Sequence, residues 1–129
     1  MSSLSPVRAF YDAVANGDVP RILSILHPDL AWTEAEGFPY FSGTWRHPQE
    51  VVEKLLIPLA RDWEGFTASP QEFVVDRDVV VAFGVYSGTP KATNKPMIAP
   101  FAQRWQIRDG KVARFDMYTD TLLIHRAMH

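Results

Sequence analysis

Two carboxylates, Glu34 and Glu36, stand in the run AWTEAEGFPYFSGTW over residues 31–45, among Trp32, Phe38, Tyr40, Phe41 and Trp45. An acid walled by aromatic surface loses hydration, and desolvation raises a carboxyl pKa toward the range where it exchanges protons near neutral pH. The same surface suits a flat apolar ligand. Glu34 is the candidate general base. Its competing reading is a carboxylate paired with Arg46 or Arg104, or one that is simply solvated; Glu36, nearer the glycine-bounded loop, reads as solvated. Asp120, after the last strand-like segment, is the candidate acid. It competes with an N-cap role, because an Asp ahead of Leu122-Leu123 suits helix initiation over the terminal segment Thr121 to Met128.

The remaining titratable residues do less. His47 precedes Pro48 at the start of a helical pattern and reads as a cap or surface residue, and His27, before Pro28, as a helix C-terminal residue favoured by the dipole. No pair among His27, His47, His125 and His129 has metal-ligand spacing with a carboxylate, so no metal site is expected. The absence of cysteine removes thiolate nucleophiles, thiolate metal sites and disulfides.

These residues must be held by elements, and the periodicity supplies them. Ser5 and Pro6 open a first helix with Val7, Phe10, Tyr11 and Val14 on one face, ended by Asn16-Gly17. Asp18 caps a second, short helix that His27-Pro28 stops. Leu30, Trp32 and Glu34 alternate with Ala31, Thr33 and Ala35 as a strand that puts Trp32 and Glu34 on one face. A third helix runs from Pro48 to about Asp62, with Pro58 expected to kink or shorten it. Phe66 to Val75, Val79 to Ser87, Met97 to Ile107 and Lys111 to Thr119 are β-rich, joined by turn-like Asp76-Arg77-Asp78, Gly88-Thr89-Pro90 and Arg108-Asp109-Gly110. Helices followed by consecutive hairpins predict an α+β domain, its curved antiparallel sheet packed on the helices.

At 129 residues and 47% hydrophobic, the chain suits a single domain over 1–129 with one core. A net charge of -2, with no long Lys/Arg run, lacks the footprint of a nucleic-acid binder. No apolar run reaches membrane-spanning length and the N-terminus lacks a signal-like pattern, so no membrane partner and a cytoplasmic location are expected.

The order Val7-Arg8-Ala9-Phe10-Tyr11, Asn16-Gly17-Asp18, His27-Pro28-Asp29, Ser42-Gly43-Thr44, Asp109-Gly110-Lys111-Val112 and Tyr118-Thr119-Asp120-Thr121 resembles the SnoaL-like and ketosteroid-isomerase-like branch of the NTF2-like superfamily, over nearly the whole chain. That resemblance implies a conical barrel, an apolar pocket and dimers through the outer sheet. Ketosteroid isomerases use a carboxylate base with an oxyanion hole of a tyrosine and a protonated aspartic acid. Matched by the two turns, the base falls on Glu34, but the donor positions fall on Phe10 and Ala102, which disfavours steroid isomerisation. The resemblance to polyketide cyclases implies Asp120 as an acid for aldol closure; an epoxide-hydrolase-like arrangement would need Arg104 with Asp116 or Asp120.

Candidate walls for the pocket are Phe10, Val14, Trp32, Phe38, Tyr40, Trp45, Phe115 and Met117. If the family's geometry holds, Phe115, Met117 and Thr119 face inward, and Asp116 and Tyr118 outward. Val80 and Tyr86 are opposite in parity to Val81, Phe83 and Val85, so a sheet apolar on both faces is expected to bury one against a second copy. The leading expectation is a cofactor-independent isomerase, cyclase or hydrolase acting by proton transfer on an apolar carbonyl or polyketide- or steroid-like compound. The alternative is a non-catalytic ligand-binding or protein-interaction domain.

Overall fold

The chain is described by a computed structural model over residues 2–129. Helix α1 (Leu4–Ala15) buries Val7, Phe10 and Ala13, and the chain leaves it through Gly17 at φ +62°, a left-handed conformation that glycine adopts without strain. The expected Ser5 cap is displaced, because the Ser5 N–H already donates to the Ser2 carbonyl. Ser5 is thus inside the first turn, and the Leu4 N–H is met by Ser2 Oγ at 3.1 Å. Asp18 caps α2 (Val19–Ile25) as expected, its Oδ1 accepting from the Arg21 N–H at 3.2 Å.

Strand β1 (Leu26–Thr33) begins earlier than the alternation indicated and contains His27 and Pro28. His27 is therefore no helix C-terminal residue. Its Nε2 lies 3.1 Å from Asp109 Oδ2 and its Nδ1 accepts from the Asp29 N–H at 3.0 Å, tying the strand's start to the last hairpin. Strand β2 (Thr44–Trp45) pairs back onto the end of β1.

The third helical segment is α3 (Pro48–Val51), a π-helical turn (Val52–Leu56) and α4 (Ile57–Asp62). It neither breaks nor stops short at Pro58. Proline has no N–H to donate and its ring crowds the carbonyl four residues back, and the wider turn just ahead of it relieves both. The sign of that adjustment is the Ile57 N–H, which reaches five residues back to the Val52 carbonyl. His47 starts the segment, and Glu50 Oε1 accepts from the backbone N–H of Arg46 and of His47.

Strands β3 (Trp63–Asp76), β4 (Val79–Pro90), β5 (Met97–Arg108) and β6 (Lys111–Thr119) form an antiparallel meander, followed by α5 (Thr121–Met128). Gly88-Thr89-Pro90 is not a turn: β4 continues through it, pairing Pro90 with Trp63, and the chain reverses after Pro90. The six-stranded order is β2-β1-β6-β5-β4-β3. The sheet is mixed, since β1 lies parallel to β6, with Trp32 opposite Phe115. The helical segment and four strands, β2 to β5, form the long crossover that parallel neighbours require.

Two register shifts in β3, at Glu64/Thr67 and Pro70/Glu72, bend the sheet. At the second bend a Cβ on Gly84 would lie 2.2 Å from the Ser69 carbonyl oxygen and 2.8 Å from Pro70 Cα, so only glycine lets the two backbones approach this closely. The concave face carries Val80, Ala82, Tyr86, Ala99, Phe101, Trp105, Phe115 and Met117 against Val7, Phe10, Val51 and Leu55 from the helices. Each large apolar side chain buried there contributes about 1.5–3 kcal/mol. The result is an α+β cone, helices closing one side of a curved sheet. Among the described residues no helix is long and apolar enough to cross a membrane.

Candidate functional site

Glu34 follows directly on β1, and the strand's alternation carries it to the concave side beside Trp32. Its residue surface is only 5% exposed. One carboxyl oxygen, Oε2, accepts from the Trp32 indole N–H at 3.2 Å. Neither expected arginine neutralises it, for Arg104 approaches Asp116 instead, at 3.9 Å. Burial therefore pushes the Glu34 carboxyl up to about 8, with the Trp32 N–H opposing part of the rise. At neutral pH the resting group is mainly the neutral acid.

The carboxyl borders a cavity of about 390 Å³ between α1, the π-helical turn, α4 and the bent sheet. Its wall is an aromatic cluster. Trp32 stacks on Phe115 with centroids 3.8 Å apart, and Phe10 and Trp105 meet Trp32 at 5.4 and 5.8 Å. Such packing fixes the indole that holds Glu34.

A polar chain crosses the same cavity. The Tyr11 hydroxyl donates to Gln103 Oε1, and Gln103 Nε2 donates to the Tyr86 hydroxyl oxygen at 2.6 Å. Burial raises both phenols above their ordinary value; for Tyr86 the nearby Glu34 charge adds to the rise. Phe10 and Ala102 offer no donor, as expected, and the polar groups of the cavity come instead from Tyr11, Gln103 and Tyr86, which sequence reasoning did not single out. Ala102 lies on the outer face of β5, and its neighbour Gln103 takes the inward position with Phe101 and Trp105. On α1, Tyr11 lies beside Phe10 at the cavity wall. A lone Gln between Phe101 and Trp105 at the buried parity of a strand was the available signal.

The other expected residues divide. Phe10, Trp32, Phe38 and Phe115 line the cavity with Glu34, and Val14 stands at its edge, 37% exposed. Met117 instead lines a separate, open groove of about 470 Å³ with Thr33, Phe41, Asp116 and Tyr118, which Glu34 also borders. Trp45 belongs to the core, its Nε1 donating to Ser42 Oγ at 2.8 Å. Tyr40 sits outside the cavity, donating to Asp62 Oδ2 at 2.9 Å and accepting from Trp63 Nε1 at 3.2 Å. Asp120 lines neither hollow. It is exposed, and its Oδ1 accepts from the Leu123 N–H at 3.3 Å as the cap of α5. Arg104 and Asp116 do approach each other, but with opposite parity to Trp105 and Phe115, which puts them on the convex face; Asp116 Oδ2 also accepts from Arg114 Nε at 2.8 Å.

Residues 7–115 match the model of a family described as the SnoaL-like domain. Among solved structures, the chain is similar to an NTF2-like protein of Burkholderia thailandensis, with 32% identity and a TM-score of 0.94 over 100% of this chain and 98% of that one. It is also similar to TerC co-crystallised with polyporic acid, at 28% identity and TM-score 0.85 over 98% and 97% of the two chains. Wild-type IdmH of Streptomyces antibioticus, proposed to be a polyketide cyclase, shares the fold at 18% identity and TM-score 0.80, over 99% of each chain. Curated proteins yield no match. With the family model spanning most of the sequence and the helix-covered cone around a buried carboxyl in place, the chain belongs to the SnoaL-like domain family, with an NTF2-like fold.

Proposed function

We propose that the cavity binds a small, neutral, apolar or aromatic carbonyl compound and that Glu34 exchanges a proton with it, without a cofactor. The observation that carries this reading is an acid with no cationic partner, enclosed by aromatic surface, beside a hollow large enough for a fused-ring molecule. TerC, to which the chain is similar, was co-crystallised with polyporic acid, which supports a small-molecule ligand here. In the proton-transfer step the ionised carboxylate takes a proton from carbon next to a carbonyl. The C–H electron pair moves into an enolate, and the protonated acid returns the proton at another carbon or oxygen. With a pKa of about 8, roughly one molecule in ten carries the ionised base at pH 7, so base-limited turnover rises with pH and levels above 8.

Asp120, as an exposed cap, contributes no second acid in this reading. A purely ligand-binding role keeps every feature except turnover. An NMR titration of the Glu34 carboxyl carbon tests the common premise: an inflection near 8 is expected, and one near the ordinary value of 4.5 sinks both forms.

The convex sheet face supports the expected homodimer. Ile98 is 69% exposed, Tyr118 60% and Phe83 42%, on three adjacent strands. Phe83 and Tyr118 flank Ala102 and Ile98 follows four residues along β5, so large apolar side chains recur along one open sheet face, which suits burial against a second copy.

A further inference from the structure

We propose that the ligand enters the cavity through a gap between the end of α1 and the first residues of β3, and that Phe66 is the gate residue whose ring sets the thickness of the molecule admitted. This route rests on the small-molecule reading of the cavity given above and adds to it a criterion of shape.

The gap follows from how α1 lies along β3. Just before the helix, Ser3 Oγ donates to the Arg77 carbonyl at 2.7 Å, and further along Tyr11 meets Phe73 edge-on with centroids 6.3 Å apart. Helix and strand therefore run side by side in opposite directions, but they advance at different rates. From Tyr11 to Ala15 the helix gains ~6 Å. From Phe73 to Thr67 the strand gains up to ~20 Å. The helix stops short of the strand's first residues, and the cavity opens there. Phe10, Trp32, Glu34, Trp105 and Phe115 on its inner wall are buried, whereas Val14 and Ala15 at the end of α1 and Gly65 and Thr67 on β3 are exposed. Leu56, half-buried on the π-helical turn, completes the rim.

Phe66 stands in that rim on backbone outside the strand ladder. Glu64 pairs with Thr89 and Thr67 with Ser87, so Gly65 and Phe66 both fall against Gly88 as a bulge. On its other side β3 has no neighbouring strand among the described residues. Gly65, at φ +64°, takes the left-handed conformation that turns the bulge, and the Thr67 hydroxyl donates to the Gly65 carbonyl at 3.0 Å. Gly88 makes the seat, since a Cβ there would come within 3.0 Å of Phe66 Cα.

The half-buried Phe66 ring is held by packing, edge-on to Trp63 at 5.1 Å and tilted on Tyr86 at 5.3 Å. Those contacts can be lost and regained without breaking a ladder bond, which makes this the cheapest part of the rim to move. A flat molecule passes beside a tilted ring. A globular one of equal volume must displace it, so the gate selects by thickness.

Stopped-flow tryptophan fluorescence with two neutral ketones, flat 2-acetylnaphthalene and globular 1-acetyladamantane, tests this. In the unaltered chain the flat ketone is expected to associate ~10-fold or more faster. Loss of a wall contact raises koff alone, whereas removal of a barrier raises kon and koff together. Phe66→Ala should therefore raise both rates for the globular ketone by ~10-fold or more and leave its Kd within about threefold, and Phe66→Trp should slow both. Val14→Trp, on the opposite lip, should slow association likewise, and Phe41→Ala, in the separate open groove, should leave every rate unchanged. A rise in koff alone in Phe66→Ala makes Phe66 a wall and overturns the proposal. Rates that respond to Phe41→Ala and not to Phe66 put the door at the groove and overturn it as well. If neither ketone binds the unaltered chain, the cavity reading falls and takes the gate with it. Phe66→Trp and Val14→Trp decide the question if Phe66→Ala does not fold.

Discussion

Replacing Glu34 by Gln isolates the one strongly displaced carboxyl in the cavity. Glutamine keeps the shape, and its Oε1 can still accept from the Trp32 indole, but it cannot ionise. In the unaltered protein the folded-state pKa is about 8 against 4.5 for the ordinary group, so the folded chain holds a proton that the unfolded chain releases. A raised acid pKa makes its contribution fully favourable below about pH 4.5, and the contribution is lost progressively as pH climbs to 8. The linkage relation gives a loss of about 3 kcal/mol between pH 5 and pH 8, and none of it occurs in Glu34→Gln. The assay is urea unfolding of both proteins at pH 5, 6, 7 and 8. All other groups titrate alike in the pair, so the difference between the two stability curves reports Glu34 alone, and the variant should gain on the parent by roughly 1 kcal/mol per pH unit. Parallel curves would refute the buried-acid argument, whatever the absolute stabilities.

Three further outcomes are expected. Asp120→Ala should lower stability by about 1 kcal/mol through loss of the α5 cap while leaving the Glu34 titration unmoved; a displaced Glu34 pKa in a folded variant would tie Asp120 to the cavity after all. Gly84→Ala places a carbon against the Ser69 carbonyl and Pro70, and thermal or urea unfolding should register a loss of about 2 kcal/mol or more; a neutral result would mean that the bend yields freely. Ile98→Glu should convert a dimer into a monomer in light scattering after gel filtration, and a parent chain that is already monomeric at tens of micromolar contradicts the convex-face interface.

Much of this arrangement was legible in local chemistry. Asp18 as a cap, the end of the first helix at Asn16-Gly17, and the shared face of Trp32 and Glu34 follow from rules that act over a few residues, and the structure bears them out. What local rules could not supply was anything set by distant partners. Parity along β5 separates Ala102 from Gln103 but does not say which faces inward; packing against α1 decides that. The polar chain joins residues 11, 86 and 103 through contacts that no window of sequence contains. Pro58 was a visible interruption, yet the remedy, a single widened turn, depends on Val52 and Leu55 keeping their places in the core. Trp45 and Tyr40 show the same limit in reverse: aromatic residues near a site-like loop serve core and strut equally well, and only their partners tell them apart.

The parallel pairing of β1 with β6 also constrains the order in which the protein is made. Leu26 pairs with Val112 and Trp32 with Phe115, so the strand that delivers Glu34 has its main neighbour near the other end of the chain. During synthesis the first hundred residues can form helices and hairpins, but the acid has no finished wall to lean on until β6 has left the ribosome. Closing so long a loop is entropically slow, and contacts of this separation lower the folding rate more than they alter final stability. The titration of Glu34 is therefore a late reporter: in a refolding experiment followed by pH-jump, proton uptake at this carboxyl should trail hairpin formation and coincide with the last kinetic phase.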